Sequence, residues 1–571
     1  MPPAPFHPSL SKIGPLSLLM MALSLERNRA ADDENHRSEE RGNNMTSHHE
    51  ARGTLSRRTF LTGAGAAAGM AALAGIAGCA PTSPAESKTD NTRSTGSYEF
   101  VKRAKDVSDR EQIATDVLVV GGGGAGICAA LSAAENGAQV ILAEKLSQLG
   151  GATILSGGAI PAVGTNQQTA AAVEDSIAAM ATDILRPTNY TVRPDLVYTV
   201  AENAPSLIEW TERMGVVWNL DERGRFGQTA RRMHIAEGTG EGLVSTLIKH
   251  MDKQDAIEQM LSFEIEGLVL DDSDAVVGAY GTHDGKKCAV TAKNTVLATS
   301  GFANNPDMIA QYCPETADAV KVVAMGATGE SIKWAEELGV ELQCMGAYQG
   351  HAFRGVDSNT TAGHQALATN GAIIVNARGE RFVNEYGGYS DLSPHVLAQP
   401  EHIGYLCFTD IQASKSKEFA ERQAAGHVQT GATAAELAAA LGIDAAMLEK
   451  TFEAYRAGIE QGEDGFNRSR LPENFDGPYY AMKITGEIRH TQGGMPTDVA
   501  GHVIRPDDTL VAGLYAAGGC TEGYSCRAGS VYSSGNGLIQ ALLFGMIAGK
   551  RAATEDKDSA KLGVWEKKAG E

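Results

Sequence analysis

Thr115-Asp116-Val117-Leu118-Val119-Val120-Gly121-Gly122-Gly123-Gly124-Ala125-Gly126 is the stretch on which the fold turns. Its first half is a β-branched, apolar run of the kind buried in a parallel sheet. Its second half satisfies G-x-G-x-x-G, and Ile127 to Asn136 then reads as a helix with small residues on one face and Gly137 as its stop. Gln139-Val140-Ile141-Leu142-Ala143-Glu144 follows as a second strand and ends in an acid eighteen residues after the last motif glycine. Each part suits a dinucleotide. Gly121 permits the tight turn, Gly123 lets backbone N–H groups approach a pyrophosphate, Gly124 and Ala125 complete the loop, and Gly126 lets the helix pack close to the strand. The helix N-terminus offers partial positive charge to phosphates, while Glu144 can accept from ribose hydroxyls. An acid at that place disfavours a 2'-phosphate, so these residues leave both NAD and FAD open.

Outward from this core, Gly150-Gly151-Ala152-Thr153 and Ser156-Gly157-Gly158 come directly after the second strand, where a nicotinamide domain normally shows a third strand. Ala292 to Ala298 is another strand, ending in Thr299-Ser300-Gly301-Phe302, and Gly513-Leu514-Tyr515-Ala516-Ala517-Gly518-Gly519 lies near the C-terminus. More specific are Gly326-Ala327-Thr328-Gly329-Glu330-Ser331-Ile332, Gly371-Ala372-Ile373-Ile374-Val375-Asn376 and Gly379-Glu380-Arg381-Phe382-Val383-Asn384-Glu385. His490-Thr491-Gln492-Gly493-Gly494 and Phe544-Gly545-Met546-Ile547-Ala548-Gly549 complete the set. On these residues, from about Thr115 to Ala553, the chain resembles the flavoprotein subunits of the fumarate reductase and succinate dehydrogenase family. That family includes the soluble flavocytochrome fumarate reductases and the 3-ketosteroid dehydrogenases.

The resemblance implies an α/β fold, with a Rossmann-type FAD-binding domain split by an inserted α+β capping domain. The first FAD part is expected at 112–345, the cap at 346–486, the second FAD part at 487–553 and a tail at 554–571. FAD is the implied cofactor. Its expected contacts are Gly121, Gly123, Gly124, Ala125, Gly126, Glu144, Lys145, Gly150, Gly151, Ala152, Thr153, Gly157, Gly158, Thr299, Gly301, Gly493, Gly518 and Leu538. Within the cap, Thr433 to Gly442 carries a capping box and a glycine stop. Thr430-Gly431-Ala432-Thr433 is also similar to a tract holding covalent FMN in some relatives, but His427 stands where that tract wants an acid, and the helix-start reading is preferred.

Composition narrows the function. The 571 residues carry 49 Lys+Arg against 70 Asp+Glu, and a net charge of -21 repels polyanions, which argues against nucleic acid as a partner. The eight cysteines contain no C-x-x-C, so zinc ribbons, C-x-x-C-spaced iron-sulfur ligand sets and c-type haem attachment lose their usual support. No H-E-x-x-H spacing suggests a metal site. Electrons are therefore expected from a membrane cytochrome or quinol-linked donor.

The first residues read as an address. Ser56-Arg57-Arg58-Thr59-Phe60-Leu61 is a twin-arginine leader pattern, followed by a weakly apolar Ala/Gly run to Gly78. Ile76-Ala77-Gly78-Cys79 resembles a lipoprotein box, in which Cys79 is lipidated; cleavage a residue or two later gives a soluble product instead. Residues 1–79 form this leader, with Met45 as an alternative start, and 80–111 read as a polar, flexible tether. Export through the twin-arginine route to the cell envelope follows from that reading, and the route commonly carries proteins already folded around a cofactor.

Catalysis by hydride transfer also needs a group that exchanges a proton at the adjacent carbon and groups that polarise the substrate. By resemblance, the dicarboxylate reductases supply two histidines and two arginines. His351 and His490 stand at the places of the histidines. The proton-donating arginine is replaced by Tyr389, four residues after Glu385, and the carboxylate-clamping arginine by the segment beginning at Tyr532. Arg527 lies five residues earlier and could substitute if the loop differs, while Gln365 and Ala368 stand where an acid and an arginine relay protons. Loss of two guanidinium clamps weakens fumarate as substrate. Tyrosines suit an activated carbonyl, as in the 3-ketosteroid dehydrogenases, and an unperturbed phenol with a pKa of about 10 acts mainly as an acid. The expectation is reduction of an activated C=C bond in a small enone or acrylate, with Tyr389 or Arg527 giving the proton and His351, His490 and Tyr532 holding the acceptor. The alternatives are a ketosteroid-type dehydrogenase running the reverse chemistry and a non-catalytic flavin-binding electron carrier.

Overall fold

The computed structural model describes residues 98–222 and 227–556. The twin-arginine leader, Cys79 and the tail beyond 556 lie outside the described residues.

The Glu111–Val120 strand occupies the middle of a parallel arrangement, between Lys286–Leu297 and Val140–Ala143, with Ile257–Met260 beyond. Val117, Leu118 and Val119 are wholly buried: Val117 and Val119 pack with Ile127 and Leu542 of the helices, and Leu118 on the other face packs with Phe263, Trp334 and Leu514, while Glu111 and Gln112 at the strand's start are exposed. On its other edge Lys286–Leu297 serves two further partners. Its first half pairs antiparallel with Val276–His283, and its last residues pair parallel with Leu514 to Ala516. The strand Leu510–Ala516, which follows the cap in sequence, therefore completes the first sheet, and the Rossmann-type domain is split.

The first helix is Gly124–Glu135, with Gly123 as its N-cap. It starts three residues before the position read from sequence, since glycine's poor helix propensity disguises a first turn whose N–H groups need no intrahelical acceptor. The helix Asn536–Thr554 packs along it. A Cβ on Gly545 would lie 2.3 Å from the Ala125 carbonyl oxygen, and one on Gly549 would lie 2.1 Å from that of Ala129, so these backbones approach as closely as only glycine allows.

The tether reading needs correction at its end. Val101–Arg103 pairs in parallel with Leu268 to Leu270, and Ala104–Val107 forms a 3-10 turn. The Glu337 carboxylate accepts from the backbone N–H groups of Glu99, Phe100 and Val101, while Val101 and Val107 are buried. Two apolar anchors in a polar stretch vanish from an averaged composition.

The second sheet has the strands Ile373–Val375, Ile403–Thr409, Tyr479–Thr491 and Gly346–Gly355 side by side, all antiparallel. Helices Ala434–Leu441 and Ala445–Gln461 cover it through Leu437, Ala438, Leu448 and Phe452. Thr433 caps the first of these by accepting from Glu436 N–H at 3.1 Å, and Gly442 ends it at a φ of 72°, as the helix-start reading requires. The division expected at 486/487 falls inside the unbroken strand Tyr479–Thr491. That strand and Gly346–Gly355 form a two-stranded ribbon carrying the chain into and out of the cap. Among the described residues no helix is long and apolar enough to cross a membrane.

Candidate functional site

A cleft with about 1340 Å3 of space, part of it open to solvent, begins at the glycine loop and ends on the ribbon. At its first end lie Gly121, Gly123, Gly124, Ala125, Glu144, Lys145, Gly151, Ala152 and Thr153, with Thr299, Gly518 and Leu538 further along. Gly121 has a φ of 107°, and a Cβ there would stand 2.4 Å from the Ala298 carbonyl oxygen, so the turn is closed to other residues. By contrast a Cβ on Gly123 would meet nothing nearer than Gly151 Cα at 3.8 Å, and this backbone lies open to a ligand. Glu144 accepts from Gly122 N–H at 2.7 Å on one oxygen and from Leu146 N–H at 2.8 Å on the other. Each oxygen keeps a lone pair for ribose hydroxyls. Lys145 has its ammonium tied to Thr328 and Glu330, both at 2.6 Å, so it closes the Gly326-to-Glu330 segment over the cavity rather than presenting a free charge.

Other expected contacts serve the frame. A Cβ on Gly126 would fall 1.7 Å from Gly121 O, the close helix-to-strand approach read from the motif. Gly150 donates to Gly122 O at 2.8 Å. Gly158 packs on Thr239, Gly301 on Thr491 and Gly493 on Cys344 and Met345, while a Cβ on Gly157 would meet nothing within 4 Å. None of these six glycines borders the cavity.

Whether the residues suit FAD is tested by Gln492, which borders the same cavity. Both its amide nitrogen and its amide oxygen are buried without hydrogen-bond partners. A buried amide lacking both partners is costly, and a ligand edge that alternates donors and acceptors, such as a flavin pyrimidine ring, satisfies it. An open glycine cradle, an acid for ribose and an unsatisfied amide at the far end fit an extended flavin dinucleotide.

At the far end Gln349, His490 and Tyr532 line the wall. Four of the five expected catalytic residues form one aromatic series, of which His490 and Tyr532 border the cavity and Tyr389 and His351 lie behind them. His351 stacks on Tyr389 with centroids 4.8 Å apart, Tyr389 meets Tyr532 at 6.4 Å, and Tyr532 meets His490 at 5.7 Å. The backbone fixes this series. Ala352 N–H donates to the Tyr389 carbonyl at 2.9 Å and Gly350 N–H to Ser390 Oγ at 2.9 Å, tying the Tyr389 loop to the ribbon. Beneath that loop, buried Glu385 accepts from Arg381 and Arg468 and from Ile374 N–H, so the R-F-V-N-E tract acts as its brace.

Burial favours the uncharged forms of His351, His490 and Tyr532. Burial, with help from Arg489, His364 and Arg354, lowers His351 to about 3. Burial also lowers His490 to about 4, with Arg489 adding to the effect. Phe353 N–H donates to His351 Nδ1 at 3.2 Å, so the ring proton sits on Nε2. His490 has the opposite tautomer, because Nδ1 faces the Thr491 carbonyl at 3.3 Å and must donate. Burial raises the Tyr532 phenol far above its usual range, and Tyr389 adds to this. Its oxygen accepts from Gly537 N–H at 3.0 Å. The Tyr389 hydroxyl lies 3.4 Å from both Gln349 Nε2 and Ser534 Oγ.

Arg527 is not brought to this wall. Ala528–Gly529 pairs with Gly346 and Ala347, and Arg527 just before it is exposed, its guanidinium near Thr191 O and Gln343 Oε1 at 3.5 and 3.3 Å. Sequence reading missed Gln349, which the two-residue period of a strand places on the same side as His351. It also missed Arg489, beside His490, whose position depends on a local irregularity of the ribbon.

A family model for an FAD binding domain matches residues 116–538. A probable fumarate reductase of Shewanella frigidimarina is 33% identical over 452 residues, covering 78% of this chain and 76% of that one. A urocanate reductase of Eggerthella lenta is 34% identical over 478 residues, covering 80% and 78%. Among solved structures, the 3-ketosteroid-Δ4-(5α)-dehydrogenase of Rhodococcus jostii in complex with 4-androstene-3,17-dione superimposes with a TM-score of 0.67 at 25% identity, covering 80% of this chain and all of that one.

Proposed function

The chain belongs to the FAD-binding flavoprotein family shared with the fumarate reductases, and from that premise we propose that it reduces an activated C=C bond of a small organic acceptor. It is an FAD-dependent oxidoreductase, and FAD, when bound, supplies the hydride. The reading is carried by one observation: the cofactor cavity ends on the Tyr532 phenol and the His490 imidazole, whose ring centroids lie 5.7 Å apart, with burial raising the pKa of the first and lowering that of the second. Such a wall offers the phenol O–H as a hydrogen-bond donor, and its imidazole, with the pKa lowered by burial, is a weak base for removing a proton.

In this reading Tyr389, set between Gln349 and Ser534, gives its proton to the carbon next to the hydride acceptor. Tyr532 accepts from Gly537 N–H, which strengthens its own O–H as a donor to the acceptor's activating group. His351 offers Nε2–H for the same purpose. Arg527, on the surface, has no part in the step. Electrons reach the flavin from a membrane cytochrome or quinol-linked partner, and the protein works in the cell envelope after twin-arginine export, with or without a lipid on Cys79.

The test is anaerobic. Full-length protein loaded with FAD is reduced with dithionite, and flavin reoxidation is followed against dicarboxylates, aryl acrylates, steroid enones and catechol-type phenolics. Rapid reoxidation by one unsaturated class is the expected result. Silence across the panel, with bleaching of oxidised flavin by saturated ketones, would assign a dehydrogenase instead.

A further inference from the structure

The loop that leads to Tyr532 is held against the start of the ribbon at two points. Ala528 and Gly529 pair in parallel with Gly346 and Ala347, and Arg527 Nη2 donates to Gln343 Oε1 at 3.3 Å. Counting back two residues from the Gly346–Ala528 rung reaches Cys344 on one segment and Cys526 on the other. Each cysteine is thus next in sequence to a residue of the side-chain contact and two residues from the rung. Both segments turn toward the following rung. Ala347 N–H donates to the Cys344 carbonyl at 2.9 Å, closing a turn in which Cys344 takes a φ of 56°, a region few residues other than glycine adopt. The Cys526 thiol donates to the Gly529 carbonyl at 3.3 Å, and Gly529 is the partner of Ala347. Cys344, Ala347 and Cys526 accordingly form one buried cluster, with Val531 packed on it. Neighbouring strands lie about 4.8 Å apart, inside the Cα separation of about 4.4–6.8 Å that a disulfide spans.

Cys344 also has a proton acceptor. Its thiol donates to Glu522 Oε1 at 3.8 Å, and Glu522 is itself buried, which raises its pKa and makes it a stronger base. Burial pushes Cys344 up to about 12; Glu522 adds to this and the Arg527 guanidinium opposes it. Burial pushes Cys526 up to about 12 as well; Cys344 and Asp391 add to this, and the Val531 and Tyr348 backbones oppose it. Beyond burial, Cys344 is the largest influence on Cys526, in agreement with their packing. A third thiol, Cys313, donates to the Met345 carbonyl at 3.5 Å but packs in a different cluster, among Phe302, Ile309 and Tyr348.

We propose that Cys344 and Cys526 are a site of oxidative modification, and that a low-molecular-weight disulfide converts them to an intramolecular disulfide that fastens the Tyr532 loop to the ribbon. The Cys344 proton passes to Glu522, and the thiolate attacks one sulfur of the oxidant RSSR, releasing RS⁻ and leaving a mixed disulfide. The Cys526 thiolate, its proton given to solvent, then displaces the second RS⁻. Two thiols lose two electrons and two protons, and RSSR becomes two RSH. The bond joins the strand that carries Gln349 and His351 to the loop six residues before Tyr532, so it acts on the wall of the site from outside the cavity. It does not depend on the direction of the flavin reaction.

In the experiment, FAD-loaded, full-length protein is reduced with dithiothreitol, freed of it and incubated with hydroxyethyl disulfide; remaining thiols are alkylated in denaturant and the peptides mapped by mass spectrometry. A Cys344–Cys526 cross-link that dithiothreitol reverses is expected, with Cys313 still alkylated. Because both thiols are pushed up to about 12, the rate of pairing should rise about tenfold per pH unit from pH 7 to pH 9, where an exposed cysteine levels off. Cys526→Ala should stop at the mixed disulfide on Cys344, and flavin content and Tm identify a variant that has not folded. Pairing should raise the Tm of unaltered protein. Recovery of both cysteines as free thiols after incubation at pH 9, or a cross-link through Cys313 or Cys79 in place of theirs, overturns the site. A Tm that falls or stays constant on pairing overturns the fastening.

Discussion

Tyr389 is a buried phenol stacked on His351, and it is the proton donor of the proposed reduction. Replacing it by Phe keeps the stacking on His351 and removes the proton. Turnover should fall by about 10^2- to 10^4-fold, the usual contribution of a general acid, with flavin content unchanged; steady-state rates with the identified acceptor check this. Because burial holds His351 at about 3 and His490 at about 4, the rate should show no histidine transition between pH 5 and 8. Both residues were legible in the sequence, since each sits in a motif whose neighbours are also characteristic. Arg527 was not, because its spacing suggested a place at the site and only the pairing of Ala528–Gly529 turns it to the surface.

The strand His502–Ile504 and the helix Asn536–Thr554 are joined at their ends by one imidazole. His502 lies between Asp498 at 2.8 Å and Glu555 at 2.7 Å, and although burial pulls its pKa down, the two carboxylates prevail and raise it. A raised folded pKa stabilises the protein fully below the unfolded value of about 6.5. That contribution is lost as pH rises through the folded value. Chemical denaturation at a series of pH values above 6 should show this loss in unaltered protein, and His502→Gln should flatten it. At the same scale the glycine loop and first strand were legible, because strand, loop, helix, strand and acid each obey a local rule. The helix start was missed, since the glycines at 124 and 126 mask the one good helix former between them, Ala125, and this turn packs on the helix Asn536–Thr554.

Taken whole, the chain couples a split FAD domain to a cap through two adjacent strands, so the cofactor cavity and the catalytic wall are parts of one folded unit. A route that exports folded protein matches such an architecture, where the cofactor contacts come from segments hundreds of residues apart. Arg57→Lys with Arg58→Lys should hold FAD-loaded protein in the cytoplasm, as fractionation with flavin fluorescence would reveal. A double variant found in the envelope would refute the twin-arginine reading.

The sequence by itself determined the cofactor class and the fold class, and it picked out the four residues that form the aromatic series, because each rests on short-range patterning: glycine placement, strand period and motif spacing. It could not place Arg489 beside the histidines, seat Glu487 between two arginines or remove Arg527 from the site. Those outcomes depend on the register of Tyr479–Thr491 against Gly346–Gly355, two segments far apart in the chain. One bulged residue in that register changes which side chains share a face, and only the folded ribbon contains it.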